Sequence, residues 1–121
     1  MKYTKYQQGD VLLLKVTEEE FNKVNLKFKI TKHETRAVLA EGEETGHYHA
    51  IYMDDMLEDA GVTLCKGNNW SNNNEGLIVT GAPVELRHEE HNTITLPEGF
   101  YLQRRVKEID HLTGRTRGVI D

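Results

Sequence analysis

The chain has 121 residues, the length of one domain, and carries 15 Lys and Arg against 20 Asp and Glu, a formal charge of −5. This acidic balance makes nucleic acid an unfavourable partner, although a local basic patch stays open at Arg104, Arg105, Lys107, Arg115 and Arg117. A single cysteine excludes an intrachain disulfide framework and a cysteine-rich zinc site, and favours a reducing cytosol. We find no secretory signal and no apolar run of membrane-spanning length, and therefore predict a soluble cytoplasmic protein without a membrane partner.

The first third of the chain predicts three strands and one short helix. Residues 9–16 form a short apolar run ended by charge, which is typical of a buried strand. Thr17 is followed three residues later by a glutamate, a capping-box pattern that predicts one or two helical turns near 18–24. Apolar residues alternate with lysine over 26–30, which predicts a strand with one solvent-exposed face. A further strand is predicted over 36–42.

The rest of the chain predicts more strands separated by turns. The aromatic and β-branched run 47–53 predicts a strand on which His47 and His49 project from the same face. A helical turn is predicted at 54–61. An exposed asparagine-rich loop is predicted over 67–76, with a strand before it and a strand after it. From residue 83 onwards the pattern is strand, bend, strand, tight turn and long strand.

These strands are spaced about ten residues apart with Gly, Asn or Pro between them, which is typical of a small all-β sandwich or barrel. We therefore predict a single β domain over 1–121 that is all-β and mainly antiparallel, a small barrel or roll with at most one or two short helices. The tail 111–121 is expected to be flexible. A homodimer that covers an edge strand is a further expectation.

Four of the six histidines fall into two tight pairs, His47 with His49 and His88 with His91. A His-x-His spacing on a strand places both rings on one face, with backbones about 6.6 Å apart at a rise of about 3.3 Å per residue. His88 and His91 are three residues apart and can point the same way only if the backbone bends between them. The two pairs form one site only if their segments fold side by side.

If the pairs converge, His47, His49, His88 and His91 predict a site for one divalent transition-metal ion: Zn, Fe, Ni or Mn. Three histidines with an open position would permit Lewis-acid or oxygen chemistry on a small-molecule substrate, whereas four in a closed site would be structural. Nearby carboxylates could act as a ligand, as partners that orient the imidazoles or as a general base; they are Glu41, Glu43, Glu44, Glu89 and Glu90.

The competing interpretation is that these histidines are solvated turn residues paired with neighbouring glutamates. Other chemistry is less well supported, because Cys65 is interpreted as a buried apolar residue rather than a nucleophile. The sequence has no glycine-rich phosphate loop and no Gly-x-Ser-x-Gly pattern, which excludes the common forms of phosphoryl transfer and serine hydrolysis.

The order of these motifs resembles the cupin superfamily. The stretch "GEETGHYHAIYMD" is similar to the first cupin motif through Gly42, His47, His49 and Asp54, with a spacer one residue short. The stretch "PVELRHEEHN" is similar to the second motif through Pro83, His88 and Asn92, with Glu85 in place of a glycine. The resemblance implies a metal-binding β-barrel with His47, His49 and His88 as ligands, and it gives His91 no counterpart.

Most of the chain also resembles a small family of uncharacterised bacterial and phage proteins, through "QGDVLLLKV", "VLAEGEETGHYHAIY" and "ELRHEEHNTITLPEGFYLQRR". This resemblance implies no activity. The resulting hypothesis is a metal-binding β domain, in the enzymatic case a cupin-type oxygenase, isomerase or lyase. The alternative is a non-catalytic interaction protein or phage accessory component whose histidines are structural or lie on the surface.

Overall fold

The computed structural model describes residues 3–41, 47–67, 74–105, 107–109 and 116–118, with backbone alone at a few of them. Antiparallel strands dominate, as the sequence predicts, and the helical content is one short helix and one 3-10 turn in these ranges. The elements are β1 (Thr4–Gln8), β2 (Val11–Val16), α1 (Glu18–Lys23), β3 (Phe28–Ile30), β4 (Arg36–Glu41), β5 (Tyr48–Tyr52), the 3-10 turn Met53–Asp55, β6 (Gly61–Lys66), β7 (Glu75–Thr80), β8 (Val84–Leu86), β9 (Ile94–Leu96), β10 (Gly99–Arg105), β11 (Lys107–Ile109) and β12 (Thr116–Gly118).

The strands form one large sheet and three small ones. The large sheet has six strands in the order β1-β2-β10-β7-β6-β3, and every neighbouring pair is antiparallel. The pairs β4-β5, β8-β9 and β11-β12 form the two-stranded sheets. The prediction of a mainly antiparallel all-β chain is therefore confirmed. Within the described ranges the large sheet ends at β1 and β3, so the strands do not close into a barrel.

Both faces of the six-stranded sheet are covered at its central strands. One face packs on β4, β5, β8 and β9, and its core contains Leu13, Ile51, Leu77, Leu86 and Tyr101, each 0% exposed. Strand alternation sends the neighbouring residues of β7 and β10 to the opposite face, where they meet α1. The central strands are thus apolar on both sides, which explains why they appear in the sequence as continuous apolar runs.

Helix α1 covers the second face and starts where the sequence predicts. The Thr17 side chain accepts a hydrogen bond from the Glu20 N–H, and the Glu20 side chain bonds back to the Thr17 backbone, so the capping box is complete. Phe21 of the helix packs against Phe100, with ring centroids 5.4 Å apart. Gly76 in β7 makes room for this contact, since a Cβ there would lie 2.7 Å from the Phe21 ring.

One predicted strand differs from the structure in detail, and the flexibility expected for the tail stays a prediction. Strand β3 is an outer strand with all three residues exposed, because it lies at the end of the sheet, and Leu26 is instead buried against the helix before the strand begins. In the tail, β12 pairs with β11, and residues 110–115 and 119–121 lie outside the described part. No helix of the described chain is long and apolar enough to cross a membrane.

Gly81, in the turn from β7 to β8, sets the path of the chain toward the second histidine pair. Its φ is +80°, and a Cβ at this position would lie 1.8 Å from the Asp59 carbonyl oxygen. We expect Gly81→Ala to lower the free energy of unfolding by about 3 kcal/mol, measured by urea denaturation, because it adds backbone strain and a backbone clash.

Gly61→Ala is the matched control. Its Cβ would meet only the Thr80 hydroxyl, at 2.7 Å, and this exposed side chain can rotate away. We expect a loss within about 1 kcal/mol for the control. Equal losses in the two variants would contradict the assigned role of Gly81.

Candidate metal centre

The two segments that carry the histidine pairs lie side by side. Ala50 of β5 and Arg87, which follows β8, form a backbone bridge: the Ala50 N–H donates to the Arg87 carbonyl at 3.0 Å and the Arg87 N–H donates to the Ala50 carbonyl at 2.8 Å. Because these two residues oppose each other, their chain neighbours His49 and His88 are also neighbours in space. The condition under which the two pairs could form one site is therefore met.

All four imidazole rings of the two pairs pack together. The ring centroids of His49 and His88 are 4.3 Å apart, and those of His88 and His91 are 4.6 Å apart. The His47 ring stands nearly perpendicular to that of His88 at 5.5 Å. His49 and His88 are buried, whereas His47 and His91 are partly exposed. We call these four residues the histidine cluster.

The β1-β2 hairpin brings two further polar side chains to the cluster. Its two-residue loop is Gly9-Asp10, and Gly9 has a φ of +57°, as the first central position of a type II′ turn requires. The turn leaves Gln8 and Asp10 on either side of the glycine, and both are 2% exposed. Both side chains face His49, which is 0% exposed.

Gln8 fixes the orientation of the His49 ring. The Gln8 Nε2 donates to the carbonyl oxygens of Leu86 and Asn92, at 2.9 Å each, so the Oε1 of the same amide must face His49. His49 Nδ1 lies 2.9 Å from this oxygen and is therefore the donor. The other ring nitrogen, Nε2, lies 3.4 Å from Oδ1 of Asp10. His49 and Asp10 therefore form a buried pair beside the Gln8 amide.

The bend predicted between His88 and His91 is present, and the His88 ring organises it. His88 Nδ1 accepts hydrogen bonds from the N–H of Glu90 at 3.0 Å and of His91 at 3.3 Å. Nδ1 therefore keeps its lone pair, and in the neutral ring the proton is on Nε2. A metal ion that bound this ring would replace either that proton or the two hydrogen bonds of the turn.

Two glutamates of the same bend reach the first histidine segment. Glu89 Oε2 accepts a hydrogen bond from the Tyr48 N–H at 3.0 Å, and Glu90 Oε1 lies 3.5 Å from His47 Nδ1. Burial raises the pKa of Glu89, but hydrogen bonds from its own N–H and that of Tyr48, with the charges of His47 and His88, outweigh it and hold the pKa below its usual range. Glu89 is therefore an anion at neutral pH.

The tightest group of ligand atoms combines His47, His88 and Glu89. One donor atom from each of these residues lies within 4.8 Å of the other two, and no other group of three His, Cys, Asp or Glu does so in the described part of the chain. Of the four predicted ligands, His49 and His91 lie next to this group rather than in it. The ligand assignment itself stays a prediction.

The structure distinguishes among the five glutamates that the sequence offers as candidates for a role at the site. Glu89 belongs to the group of ligand atoms and Glu90 pairs with His47. Glu43 and Glu44 lie outside the described residues, as does the side chain of Glu41.

Sequence reasoning missed Gln8 and Asp10. The available signal was "QGD": a Gly-Asp pair between alternating segments is a two-residue hairpin pattern, and it would have placed the flanking polar side chains at one end of the sheet. Their burial could not be predicted, because it depends on contact with β5 and on the bend after β8.

The fold and the cluster define an all-β domain with two buried imidazoles, of His49 and His88, and one buried carboxylate, of Asp10. The family model described as a domain of unknown function (DUF8820) matches residues 7–106, and the chain belongs to this family. The matched range includes all the residues of the histidine cluster as well as Gln8 and Asp10. None of the curated proteins and none of the solved structures matches the chain.

Gln8 should be a large contributor to stability, since its amide makes three hydrogen bonds to three separate parts of the chain. We expect Gln8→Ala to lower the free energy of unfolding by about 2–4 kcal/mol, because two buried carbonyls and the His49 N–H lose their partner. Urea denaturation measures this loss.

Gln7→Ala is the matched control, because Gln7 is exposed and bonds only to the nearby Gly9 carbonyl. We expect a change within about 0.5 kcal/mol. A loss of similar size in both variants would contradict the role given to the buried amide.

Proposed function

We propose that this domain binds a divalent transition-metal ion through His47, His88 and Glu89. The observation that carries the proposal is the proximity of their donor atoms, all within 4.8 Å, on two segments far apart in sequence. Two imidazoles and one carboxylate are a donor set that suits zinc and non-haem iron, and nickel or manganese also fits these donors. The ionised state of Glu89 at neutral pH supports its part in the set, since a carboxyl group binds a metal ion in its deprotonated form.

The graded burial of the three donors favours a site that a small molecule can reach. His88 is buried, His47 is partly exposed and Glu89 is exposed, so the donor set extends from the core to the surface. Three protein ligands leave coordination positions for water or substrate, as catalytic sites require. We infer a small-molecule oxygenase, isomerase or lyase in the cytosol, the chemistry that the resemblance to cupin motifs implies, carried here by an open sheet; a bound ion would polarise a substrate oxygen or activate water or dioxygen.

A second candidate function is protein interaction, and one observation favours it. The outer strand β3 exposes Phe28 and Ile30 by 58% and 47%, and the two side chains project from the same side of the strand. An outer strand with exposed apolar side chains can pair with another chain, and the homodimer expected from the sequence would use it. In this case a metal ion at the cluster would link two segments and have no catalytic role.

Metal content of the purified chain tests the leading proposal. After incubation with zinc and removal of loose metal, we expect at least one ion per chain in the unmutated protein, measured by atomic emission. The double variant His47→Ala, His88→Ala should lose the ion bound by these ligands, because each change removes one imidazole donor.

His33→Ala serves as the control, since His33 lies in the segment between β3 and β4 and outside the cluster. It should bind as much zinc as the unmutated chain. Far less than one ion per unmutated chain would overturn the metal proposal, and an undiminished zinc content in the double variant would overturn its ligands. A folding stability that falls sharply on chelation would favour the structural role.

A further inference from the structure

We propose that the outer strand β3 pairs with an extended segment of a partner protein in which acidic and apolar residues alternate. This inference rests on the second candidate function, for which it names the chemistry of the partner, and it is independent of the metal proposal. The occupant is another protein rather than a second copy of this chain. Three features of β3 support the inference: its outer edge, its exposed apolar side chains and its lysines.

Strand β3 exposes both a backbone edge and apolar side chains. In the described part of the chain β6 is its only neighbouring strand, so the backbone groups on its other edge face away from the sheet. Four large apolar side chains are exposed among the described residues, and Phe28 and Ile30 are two of them. An extended segment that pairs with this edge would gain backbone hydrogen bonds and would cover these two side chains.

A cavity lies beside the apolar side of β3. Ile30 lies opposite Leu64 of β6, and paired residues of neighbouring strands project from the same face of a sheet. Leu64 also lines a cavity between β4 and the sheet, with Val38 and Leu39 on its β4 side. An apolar side chain of a bound segment would therefore contact Ile30 next to this cavity.

The charge of β3 and its flanks is positive, although the chain is acidic. Residues 21–33 contain four lysines and no aspartate or glutamate, whereas the whole chain has a formal charge of −5. Lys27, Lys29 and Lys32 are exposed, and Lys29 is the central residue of the strand. Exposed charges farther apart than about 10 Å are largely screened at about 0.1 M salt, so the nearby lysines outweigh the net charge. The edge therefore favours an acidic partner.

The pleat of the strand separates the two kinds of contact. Successive side chains of a strand project to opposite faces, so Phe28 and Ile30 lie on one face and Lys29 on the other. The residues of a paired segment that lie opposite them share these faces. The complementary segment therefore carries apolar residues opposite Phe28 and Ile30 and an acidic residue opposite Lys29.

The same lysines disfavour a second copy as the occupant. In an antiparallel pair of two β3 strands centred on Lys29, Phe28 would lie opposite Ile30, but Lys29 would lie opposite its own copy. A shift that sets Phe28 opposite its own copy would bring Lys27 opposite Lys29. Like charges directly opposite each other are destabilising, and lysines on outer strands commonly prevent such self-pairing. An acidic segment replaces this repulsion with attraction.

An NMR titration of the full chain tests this inference. The probe is an acetylated and amidated peptide of sequence Val-Glu-Val-Glu-Val-Glu-Val, and the control peptide has lysine in place of each glutamate. We expect the acidic peptide to shift the backbone amide signals of β3 and the lysine peptide to leave them unchanged. A higher salt concentration should weaken the acidic complex, because salt screens the attraction between exposed charges.

The double variant Lys27→Glu, Lys29→Glu reverses the charge of the strand at two exposed positions. We expect its dissociation constant for the acidic peptide to rise by about tenfold or more, because each cross-strand charge pair changes sign. The lysine peptide should bind this variant. Lys5→Glu is the matched control, since Lys5 is an exposed lysine on β1, the opposite outer strand of the sheet, and this variant should bind the acidic peptide as the unmutated chain does.

Unchanged β3 signals at a millimolar concentration of the acidic peptide, or equal binding of the two peptides, would overturn the inference. Sedimentation of the unmutated chain as a dimer that Ile30→Lys converts to a monomer would also overturn it, because the edge would then belong to a second copy, and the second candidate function would stand. A monomer that binds neither peptide would overturn both. The zinc content of the chain decides the metal proposal separately in every case.

Discussion

The amide of Gln8 is the interaction on which the geometry of the cluster depends. Through its NH₂ group it binds the carbonyls of Leu86 and Asn92, before and after the bend, and through its oxygen it orients His49. One side chain therefore connects the β1-β2 hairpin, strand β5 and the bend after β8. Because a buried amide is costly to leave without partners, these three parts of the chain are held in one arrangement.

This arrangement brings imidazoles and carboxylates together in one part of the structure. Asp10 is buried beside His49, and Glu89 is ionised at the outer edge of the same cluster. Imidazoles alone can compensate for carboxylates only when they are protonated, whereas divalent metal ions bind both kinds of group directly. The proposed metal site rests on the donor atoms of His47, His88 and Glu89, and it requires no resemblance to a protein of known activity.

Local patterns in the sequence predicted much of the fold. The capping box of Thr17 and Glu20 predicted helix α1, and alternation predicted most of the strands, because both features depend on residues close together in the chain. The open arrangement of the strands could not be predicted in this way. A sheet closes only when its two outer strands pair with each other. In the described part of the chain β1 and β3 are the outer strands, and their positions depend on pairing between segments distant in sequence.

The histidine cluster was partly predictable for the same reason. The two pairs stand out in the sequence by their spacing, but their proximity depends on the bridge between Ala50 and Arg87, a pairing across 37 residues that leaves no local pattern. Gln8 and Asp10 were missed because nothing in their immediate sequence indicates burial. Polar residues that owe their role to a distant partner are the least visible from sequence alone.

The central claim is that a metal ion binds where the bend after β8 meets β5. The most direct measurement is an anomalous difference map from crystals of the zinc-loaded chain, collected on either side of the zinc absorption edge. The account predicts a peak at bonding distance, about 2.0–2.2 Å, from donor atoms of His47, His88 and Glu89. Full zinc loading with no peak at these three residues would contradict it.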